Sequence, residues 1–434
     1  MAATRCPFNA VRDRDDNMKT IASSFVSHNR LNDRIAQMAR IGATGSGGVN
    51  RQALSDEDAM AQALLTEWGA QAGLLASRDP AGNLFLRLVG EDPSLPPVVS
   101  GSHLDSQPTG GKYDGAFGVL AALEAVQAIR DAGIRPARSV DVVAWMNEEG
   151  SRFAPGMLGS SVFCGARTLE SMLSIEDAAG TSVKAALAQV DEKLAHIPRR
   201  QLGGALHSYV EAHIEQGPEL ERHGVPVGIV TGIQGKHTFR ITVHGEASHA
   251  GTSMRRDRKD ALQTAVAIIA TLGTHLHDAE DIVKFTVGRL DVTPNAPSVV
   301  PSKVVFSIDL RHPDSTTLLE LSACVERVGH EQAAPCRVEV ERLSAAPSLT
   351  FPKSMQERIS NAADRLGLPT LALASAAGHD ARYLHEVCPS AMIFVPCKEG
   401  ITHNEAEYST PADLSAGTRV LADVLVDLSQ GGTP

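Results

Sequence analysis

Histidine and carboxylate side chains recur in four short segments of the sequence, and such side chains can bind cations or move protons. His103 closes an apolar run, and Asp114 follows in a stretch rich in glycine that begins at Gly110. An imidazole nitrogen and a carboxylate oxygen suit zinc or a similar divalent ion. Asp105 could accept the second ring N–H of His103 and fix its tautomer. The same segment also fits a surface loop with a helix-capping aspartate.

A second segment carries two adjacent glutamates, Glu148 and Glu149, after another apolar run. Because adjacent side chains point in different directions, one carboxylate can bind a metal while the other accepts a proton from water. A solvated acidic pair at the end of a strand is the alternative interpretation.

Two more segments supply histidines. Alternation puts Glu211, His213 and Glu215 on one side of a predicted strand, which is costly unless these side chains are paired or bound to metal. His403 lies in a loop after the apolar run 391–396, where a lone histidine is usually a surface residue. Taken together, His, Asp, Glu, His and His follow successive predicted strands. A bridging aspartate with two further ligands for each ion is the usual arrangement for two cations roughly 3.5 Å apart.

The elements that must position these residues are predicted strands and helices in alternation. Strands are expected at 96–103, 139–146, 207–214 and 391–396, and helices at 115–131, 353–366 and 412–428. Such alternation predicts βαβ units and a mostly parallel sheet flanked by helices. Ligands gather at the carboxyl ends of strands in open α/β sheets, which is where the candidate residues would lie.

The middle of the chain has a different pattern. Strands are expected at 237–244, 282–290, 304–311 and 336–343, and helices at 257–273 and 316–329. The order β-α-β-β-α-β is that of ferredoxin-like domains. The sequence therefore predicts an α/β catalytic domain, residues 1–222 and 344–434, interrupted by a smaller α+β domain at 223–343.

Composition narrows the class of protein. The chain has 434 residues, of which 43% are hydrophobic and 21% charged, as in ordinary globular proteins. Its net charge of −11 argues against a nucleic-acid partner. We expect neither a secretory signal nor a membrane helix, since no sufficiently long apolar run occurs. The cysteines lack a C-x-x-C pair, which favours free thiols and a cytoplasmic location: Cys6, Cys164, Cys324, Cys336, Cys388 and Cys397.

Two other kinds of chemistry have little support. The stretch GATGSGG at 42–48 lacks the Gly-Lys-Ser/Thr ending of a phosphate-binding loop and is predicted to be a flexible turn. No Gly-x-Ser-x-Gly motif is present, so a serine hydrolase mechanism is not indicated.

A series of motifs stands in order along nearly the whole chain, from about residue 30 to 410: GSHLDSQPTGGKYDGAFGVL, MNEEGSRF, EAHIEQGPELE, SHAGT, DLR, AGHDA and ITHNEAEY. Through these motifs the chain resembles the M20 metallopeptidase family. It is most similar to the amidase branch of N-carbamoyl-L-amino-acid hydrolases, β-ureidopropionases and allantoate amidohydrolases. EAHIEQGP together with ITHNEAEY is what separates this branch from the peptidases.

The resemblance implies a role for each candidate residue at a site for two divalent ions, which could be zinc, manganese, cobalt or nickel. His103 and His213 would hold one ion. Glu149 and His403 would hold the other, and Asp114 would bridge the two. Glu148 would be the general base.

The resemblance also implies that the insert is a lid that forms the interface of a homodimer. His249 would reach an active site across that dimer and help to stabilise the oxyanion. Gln216 and Arg311 would line the substrate pocket, where Arg311 would bind a carboxylate with two hydrogen bonds. Gly378 and His379 would lie beside the substrate. For Arg311, pairing with its neighbour Asp309 is the alternative interpretation.

The sequence departs from the family's pattern in two places. Ser298 stands where relatives commonly have an asparagine that contacts the substrate, and Asn295 is a candidate to compensate. After SHAGT, the frequent Thr-Pro-Met is replaced by Ser253-Met254-Arg255. These changes leave the expected metal ligands intact and bear on the identity of the substrate.

The expected reaction is therefore hydrolysis of a carbamoyl or amide C–N bond in a small substrate that carries a carboxylate. N-Carbamoyl-L-α-amino acids or N-carbamoyl-β-alanine would yield the amino acid, carbon dioxide and ammonia. An allantoate or ureidoglycolate type of ureide hydrolase is the nearest alternative. An aminoacylase or dipeptidase and a non-catalytic metal-binding dimer are the remaining ones.

Overall fold

A computed structural model describes residues 21–431 of the chain. Its helices are α1 (His28–Met38), α2 (Asp56–Gln71), α3 (Ala116–Asp131), α4 (Leu158–Phe163), α5 (Leu169–Leu173), α6 (Val183–Lys193), α7 (Glu219–His223), α8 (Ala261–His275), α9 (Ser315–Glu331), α10 (Lys353–Arg365), α11 (Ala381–Leu384) and α12 (Pro411–Ser429). Its strands are β1 (Leu75–Arg78), β2 (Leu84–Leu88), β3 (Val98–His103), β4 (Val140–Trp145), β5 (Ser208–Ile214), β6 (Val227–Ile233), β7 (Gly235–His244), β8 (Ser248–His249), β9 (Lys284–Thr293), β10 (Val299–Val300), β11 (Lys303–His312), β12 (Arg337–Ala346), β13 (Leu349–Thr350), β14 (Thr370–Ser375) and β15 (Ser390–Val395).

The larger sheet has nine strands in the order β1-β2-β4-β3-β5-β15-β6-β13, and β14 pairs with β6. The four strands at its centre, β4, β3, β5 and β15, run parallel to one another. Antiparallel pairs lie toward the edges, where β1 joins β2, β2 joins β4, and β6 joins both β15 and β13. The predicted α/β fold is confirmed, and its parallel strands are those expected to lead into the candidate site.

Every residue of the four central strands is buried, as expected of parallel strands covered by helices on both faces. Helix α3 is buried along most of its length, and α12 packs against it. Gly101 of β3 lies so close to β4 that an added Cβ would be 1.9 Å from the carbonyl oxygen of Val143. The strand ends that carry the candidate site are therefore tightly packed, both against the layers that cover the sheet and against the neighbouring strands.

The smaller sheet has the order β12-β7-β11-β9, and all of its pairs are antiparallel. Helices α8 and α9 cover one face, on which Phe306, Ile308 and Leu310 of β11 are buried. The predicted β-α-β-β-α-β order is confirmed. Helix α8 begins at Ala261, later than the expected 257, because the side chain of Asp260 caps its first backbone N–H groups.

The chain does not pass from the larger sheet to the smaller one, and back, at the expected limits of the insert, residues 223 and 343. Strand β6 pairs with β15 and β14 in the larger sheet, so the smaller sheet begins at Gly235 and ends at Ala346. The division of the chain at 222/223 and 343/344 stays a prediction.

No helix between residues 21 and 431 is both long and apolar enough to cross a membrane. The five cysteines of this part of the chain, Cys164, Cys324, Cys336, Cys388 and Cys397, are free. Cys6 lies outside the described residues.

Candidate metal centre

The carboxyl ends of the four central parallel strands carry most of the candidate ligands. His103 is the last residue of β3, and His213 is the second-last residue of β5. Glu148 and Glu149 follow β4, and His403 follows β15. Since these strands are neighbours in the sheet, residues far apart in sequence meet at one edge.

Asp114, in the loop before α3, lies at the centre of the group. Its Oδ1 is 3.2 Å from Nε2 of His213 and 3.9 Å from Nε2 of His103. Its Oδ2 is 3.1 Å from Nε2 of His403, which in turn lies 3.3 Å from Oε2 of Glu149. The donor atoms form two sets, each spanning less than 4.8 Å, and Asp114 is the residue shared by both. The structure thus brings together all five predicted ligands.

Two of the histidines present the correct nitrogen for binding a cation. Nδ1 of His213 donates to the carbonyl oxygen of Ile214 (2.9 Å), and Nδ1 of His103 donates to the carbonyl oxygen of Asp105 (2.8 Å). In the neutral tautomer each Nε2 lone pair therefore faces Asp114.

The predicted role of the Asp105 side chain needs correction. Its carboxylate is 3.7 Å from Nδ1 of His103 and does not accept the ring N–H; the backbone carbonyl of the same residue does. The carboxylate instead accepts the backbone N–H groups of Glu148 and Glu149, both at 3.2 Å. Asp105 thereby fixes the turn that carries the two glutamates.

Glu148 lies over the ligand set without belonging to either donor group. Its Oε2 is 3.5 Å from Nε2 of His103, and its side chain is 10% exposed. Burial, together with the nearby carboxylates Asp380, Glu149 and Asp105, raises the pKa of Glu148 well above its ordinary value. A carboxyl group of raised pKa holds a proton more readily than an ordinary glutamate.

The charges at this edge of the sheet fit divalent cations. Within residues 21–431, the ion pairs that reach Asp114, Glu148 and Glu149 all come from histidines. Burial and the neighbouring Asp114 raise the pKa of Glu149 to about 7. Such crowding of buried carboxylates is costly without positive charge. Imidazole and carboxylate donors are the set that zinc, manganese, cobalt and nickel accept.

Glu211 and His379 form a third group with His213, but these side chains are committed to internal hydrogen bonds. Glu211 accepts from the hydroxyl of Ser102 (2.6 Å) and from the backbone N–H of Ala381 (3.1 Å). The sequence predicts that a glutamate on this face of the strand must be paired or bound to metal. These hydrogen bonds to Glu211 provide the pairing. The next acid of the strand face, Glu215, accepts the backbone N–H groups of Glu219 and Leu220, both at 2.8 Å.

Three of the predicted substrate-binding residues lie beside the candidate metal ligands. Nε2 of Gln216 donates to Oδ2 of Asp114 at 3.0 Å. The ring of His379 is 4.6 Å from the ring of His213, between their centroids, and Gly378 precedes it in the chain.

Arg311 links the smaller sheet to this region. Its Nη1 donates to the carbonyl oxygen of Ala376 at 2.6 Å, in the segment that leads to His379. Its Nε and Nη2 donate to the carboxylate of Asp309 at 2.8 and 3.1 Å, so the pairing considered as an alternative is present.

His249 and Ser298 are exposed; His249 ends β8, which pairs with β10, and Ser298 directly precedes β10. No hydrogen bond or ion pair joins His249 to the candidate metal ligands in the described part of this chain. Nδ1 of His249 accepts the backbone N–H groups of Gly251 (3.0 Å) and Thr252 (3.1 Å), which leaves the ring proton on Nε2. The carbonyl oxygen of Ser298 accepts the N–H of Ala250 at 3.0 Å.

Glu407 was not among the predicted site residues, yet it contacts the loop of Asp114. Its Oε1 accepts the backbone N–H groups of Tyr113 (2.9 Å) and Asp114 (3.1 Å). The signal in the sequence is slight, a glutamate four residues after His403, and only the tertiary structure shows what it contacts.

Known proteins are similar to this chain over nearly its whole length. The family model described as peptidase family M20/M25/M40 matches residues 99–427. The chain is 37% identical to an N-carbamoyl-L-amino-acid amidohydrolase of Rhizobium meliloti, over 93% of this chain and 97% of that protein. It is 32% identical to an allantoate amidohydrolase of Bacillus subtilis (strain 168), over 92% of this chain and 98% of that protein.

The crystal structure of an amidase of the hydantoinase/carbamoylase family from Burkholderia multivorans matches with a TM-score of 0.87 at 38% identity. The match covers 94% of this chain and 98% of that one. The similarity thus extends over both sheets and the edge at which the ligands meet. The chain belongs to the peptidase family M20/M25/M40.

Proposed function

We propose that the chain is a two-metal amidohydrolase that hydrolyses N-carbamoyl amino acids to the amino acid, carbon dioxide and ammonia. The observation that carries the proposal is the position of Asp114, whose two carboxylate oxygens face different histidines at 3.2 and 3.1 Å. His103 and His213 would hold one cation and Glu149 and His403 the other. The names of the similar proteins from Rhizobium meliloti and Burkholderia multivorans support the choice of carbamoyl substrates.

A pair of divalent ions, when bound, would polarise the substrate's carbonyl group and make water easier to deprotonate. Glu148 takes a proton from the attacking water, whose oxygen bonds to the carbonyl carbon. As the C–N bond breaks, Glu148 returns the proton to the leaving nitrogen. The carbamate that remains loses carbon dioxide, so one water and one substrate give one amine, one ammonia and one carbon dioxide.

We further propose that the substrate's carboxylate binds Arg311 and that Gln216, Gly378 and His379 line the pocket. A guanidinium has five N–H groups, and three of them are used on Asp309 and Ala376. One N–H on each terminal nitrogen remains, and these two can bind a carboxylate together.

His249 is proposed to complete the site of a second copy of the chain in a homodimer formed through the smaller sheet and its helices. The side chain is exposed, and its proton is on Nε2. It can therefore donate a hydrogen bond to the negative oxygen that develops during attack.

Allantoate or a related ureide is the second candidate substrate. The similarity to the allantoate amidohydrolase of Bacillus subtilis favours it.

The test is ammonia release by the purified full-length protein reloaded with metal. The panel contains N-carbamoyl-L-α-amino acids, N-carbamoyl-β-alanine, allantoate, ureidoglycolate and an N-acetyl amino acid, with Glu148→Gln as the blank. Ammonia from the carbamoyl substrates supports the proposal, and ammonia from allantoate alone supports the second candidate. Amine from the acetylated compound without any ammonia would overturn both.

A further inference from the structure

Glu407 is a buried carboxylate, 4% exposed, that the proposed chemistry does not use. Besides the backbone N–H groups of Tyr113 and Asp114 on Oε1, its Oε2 accepts the hydroxyl of Thr402 at 3.0 Å. Both carboxylate oxygens of this side chain therefore accept hydrogen bonds from residues that lie next to the candidate metal ligands. Thr402 directly precedes His403 in the chain.

The loop that contains Asp114 is shaped to receive this carboxylate. At Gly111 an added Cβ would lie 2.0 Å from Oε1 of Glu407. Only glycine at that position leaves room for the Glu407 side chain to approach the backbone so closely.

Thr402 extends the contact from the backbone of Asp114 to its side chain. The Thr402 hydroxyl is 3.3 Å from Oδ2 of Asp114, the oxygen that faces His403. Asp114 and His403 belong to two loops that are far apart in sequence. Glu407 lies in the loop of His403, 293 residues after Asp114. Glu407 accepts hydrogen bonds from residues of both loops.

We propose that Glu407 is a positioning residue of the metal centre, whose three hydrogen bonds hold the bridging Asp114 and the His403 loop at the spacing that two cations require. The inference rests on the two-metal site of the proposed function. Hydrogen-bond partners of metal ligands typically change metal affinity or activity about 10- to 100-fold when they are replaced.

The length of the side chain, rather than its charge, is the property that matters here. In Glu407→Gln the amide oxygen still accepts both backbone N–H groups, and the Thr402 hydroxyl can turn to Asp114. In Glu407→Asp the charge is kept, but the carboxylate is one methylene too short to reach both loops.

The experiment is titration of the full-length apoprotein with cobalt(II), following the heat of binding and the visible absorption of the bound ion. We expect Glu407→Gln to bind two equivalents within about threefold of the wild-type affinity. Glu407→Asp should bind the second equivalent about 10- to 100-fold more weakly and with an altered spectrum. Gly111→Ala should resemble Glu407→Asp, because it pushes the carboxylate away from the loop.

The matched control is Glu405→Gln, since the Glu405 side chain bonds the hydroxyl of Thr44 and not the Asp114 loop. Wild-type affinity and spectrum in Glu407→Asp would overturn the proposal. A loss in Glu407→Gln as large as that in Glu407→Asp would overturn it too, because the Gln side chain keeps the length and the two backbone hydrogen bonds on which the proposal depends. Should Glu407→Asp fail to fold, Gly111→Ala decides by the same two readouts.

The same experiments distinguish failure of the proposed function from failure of the inference about Glu407. A wild-type protein that binds two cobalt ions but releases no ammonia from any substrate would reject the proposed reaction and leave the role of Glu407 intact. A wild-type protein that binds no cation would overturn the inference itself.

Discussion

Arg311 and Asp309 form a two-point ion pair on β11, with Nε to Oδ1 at 2.8 Å and Nη2 to Oδ2 at 3.1 Å. Asp309 also pairs with Lys236 at 3.2 Å. The guanidinium is thereby held by its side while one N–H on each terminal nitrogen stays available. The pair fixes the orientation of the guanidinium, which is the group proposed above to bind the substrate's carboxylate.

The first prediction concerns this arginine. Arg311→Lys should raise KM for an N-carbamoyl amino acid about 10- to 150-fold, since a charge-assisted hydrogen bond contributes about 1.5–3 kcal/mol. The turnover number should change little, because the reacting bond is remote from the anchor. Initial rates across substrate concentrations measure both. Equal losses for a carbamoylated amine without a carboxylate would contradict the assigned role.

The second prediction separates proton transfer from metal binding at Glu148. Glu148→Gln should lower the turnover number by about 10²- to 10⁴-fold, because the amide cannot take a proton from water. The metal content, measured by elemental analysis, should remain at the wild-type value. Loss of metal along with activity would make Glu148 a ligand instead of the base.

The third prediction is that metal ions stabilise the fold. A ligand bound only by the native state adds about 2.7 kcal/mol of stability at a concentration of 100 times its Kd. Chelation should therefore lower Tm by several degrees, on the order of 2–4 °C or more for a chain of this size, and added zinc or manganese should restore it. Asp114→Asn should weaken the proposed bridge between the two ions, so chelation should lower the Tm of this variant by less than that of the wild type. A Tm that does not respond to either treatment would argue against the site.

The fourth prediction tests whether His249 acts across a dimer. His249→Ala and Glu148→Gln should each be nearly inactive alone. Co-expressed in equal amounts, they should recover about a quarter of the wild-type activity, because half of the dimers are hybrids with one intact site of two. If His249 served its own chain, mixing would restore nothing.

The fifth prediction concerns stability. Gly101→Ala should destabilise the protein by about 3 kcal/mol or prevent folding, since the new Cβ would overlap the backbone of β4 at Val143. Gly45→Ala, where nothing lies within 4 Å of the new methyl group, is the control and should leave the unfolding midpoint nearly unchanged. Chemical denaturation followed by circular dichroism measures both.

Most of the candidate metal ligands could be predicted because they stand at or soon after the end of an apolar run that becomes a buried strand. His103 and His213 are examples, and the parallel pairing of their strands brings them together. The β-α-β-β-α-β order was predictable for a similar reason: alternation on β7 and β11 marks a sheet with one buried face.

Other features depend on contacts between distant segments. β6 belongs to the larger sheet only because it pairs with β15 and β14, and no local pattern at 227–233 distinguishes it from the insert that follows. The Asp105 carboxylate points to backbone N–H groups more than 40 residues away and not to the neighbouring histidine. Glu407 likewise acts on a loop that local sequence does not connect to it.

His403 differs from the other ligands in exposure. Its side chain is 47% exposed, whereas those of His103, Asp114 and His213 are at most 4% exposed. Cations bound by these two sets should therefore differ in lability. The ion beside His103 and His213 would exchange slowly, and its partner would equilibrate with the surrounding medium. Under the proposed two-metal function, occupancy of the outer position would follow the availability of metal, and the proposed activity would vary with cation supply while the inner position remains filled.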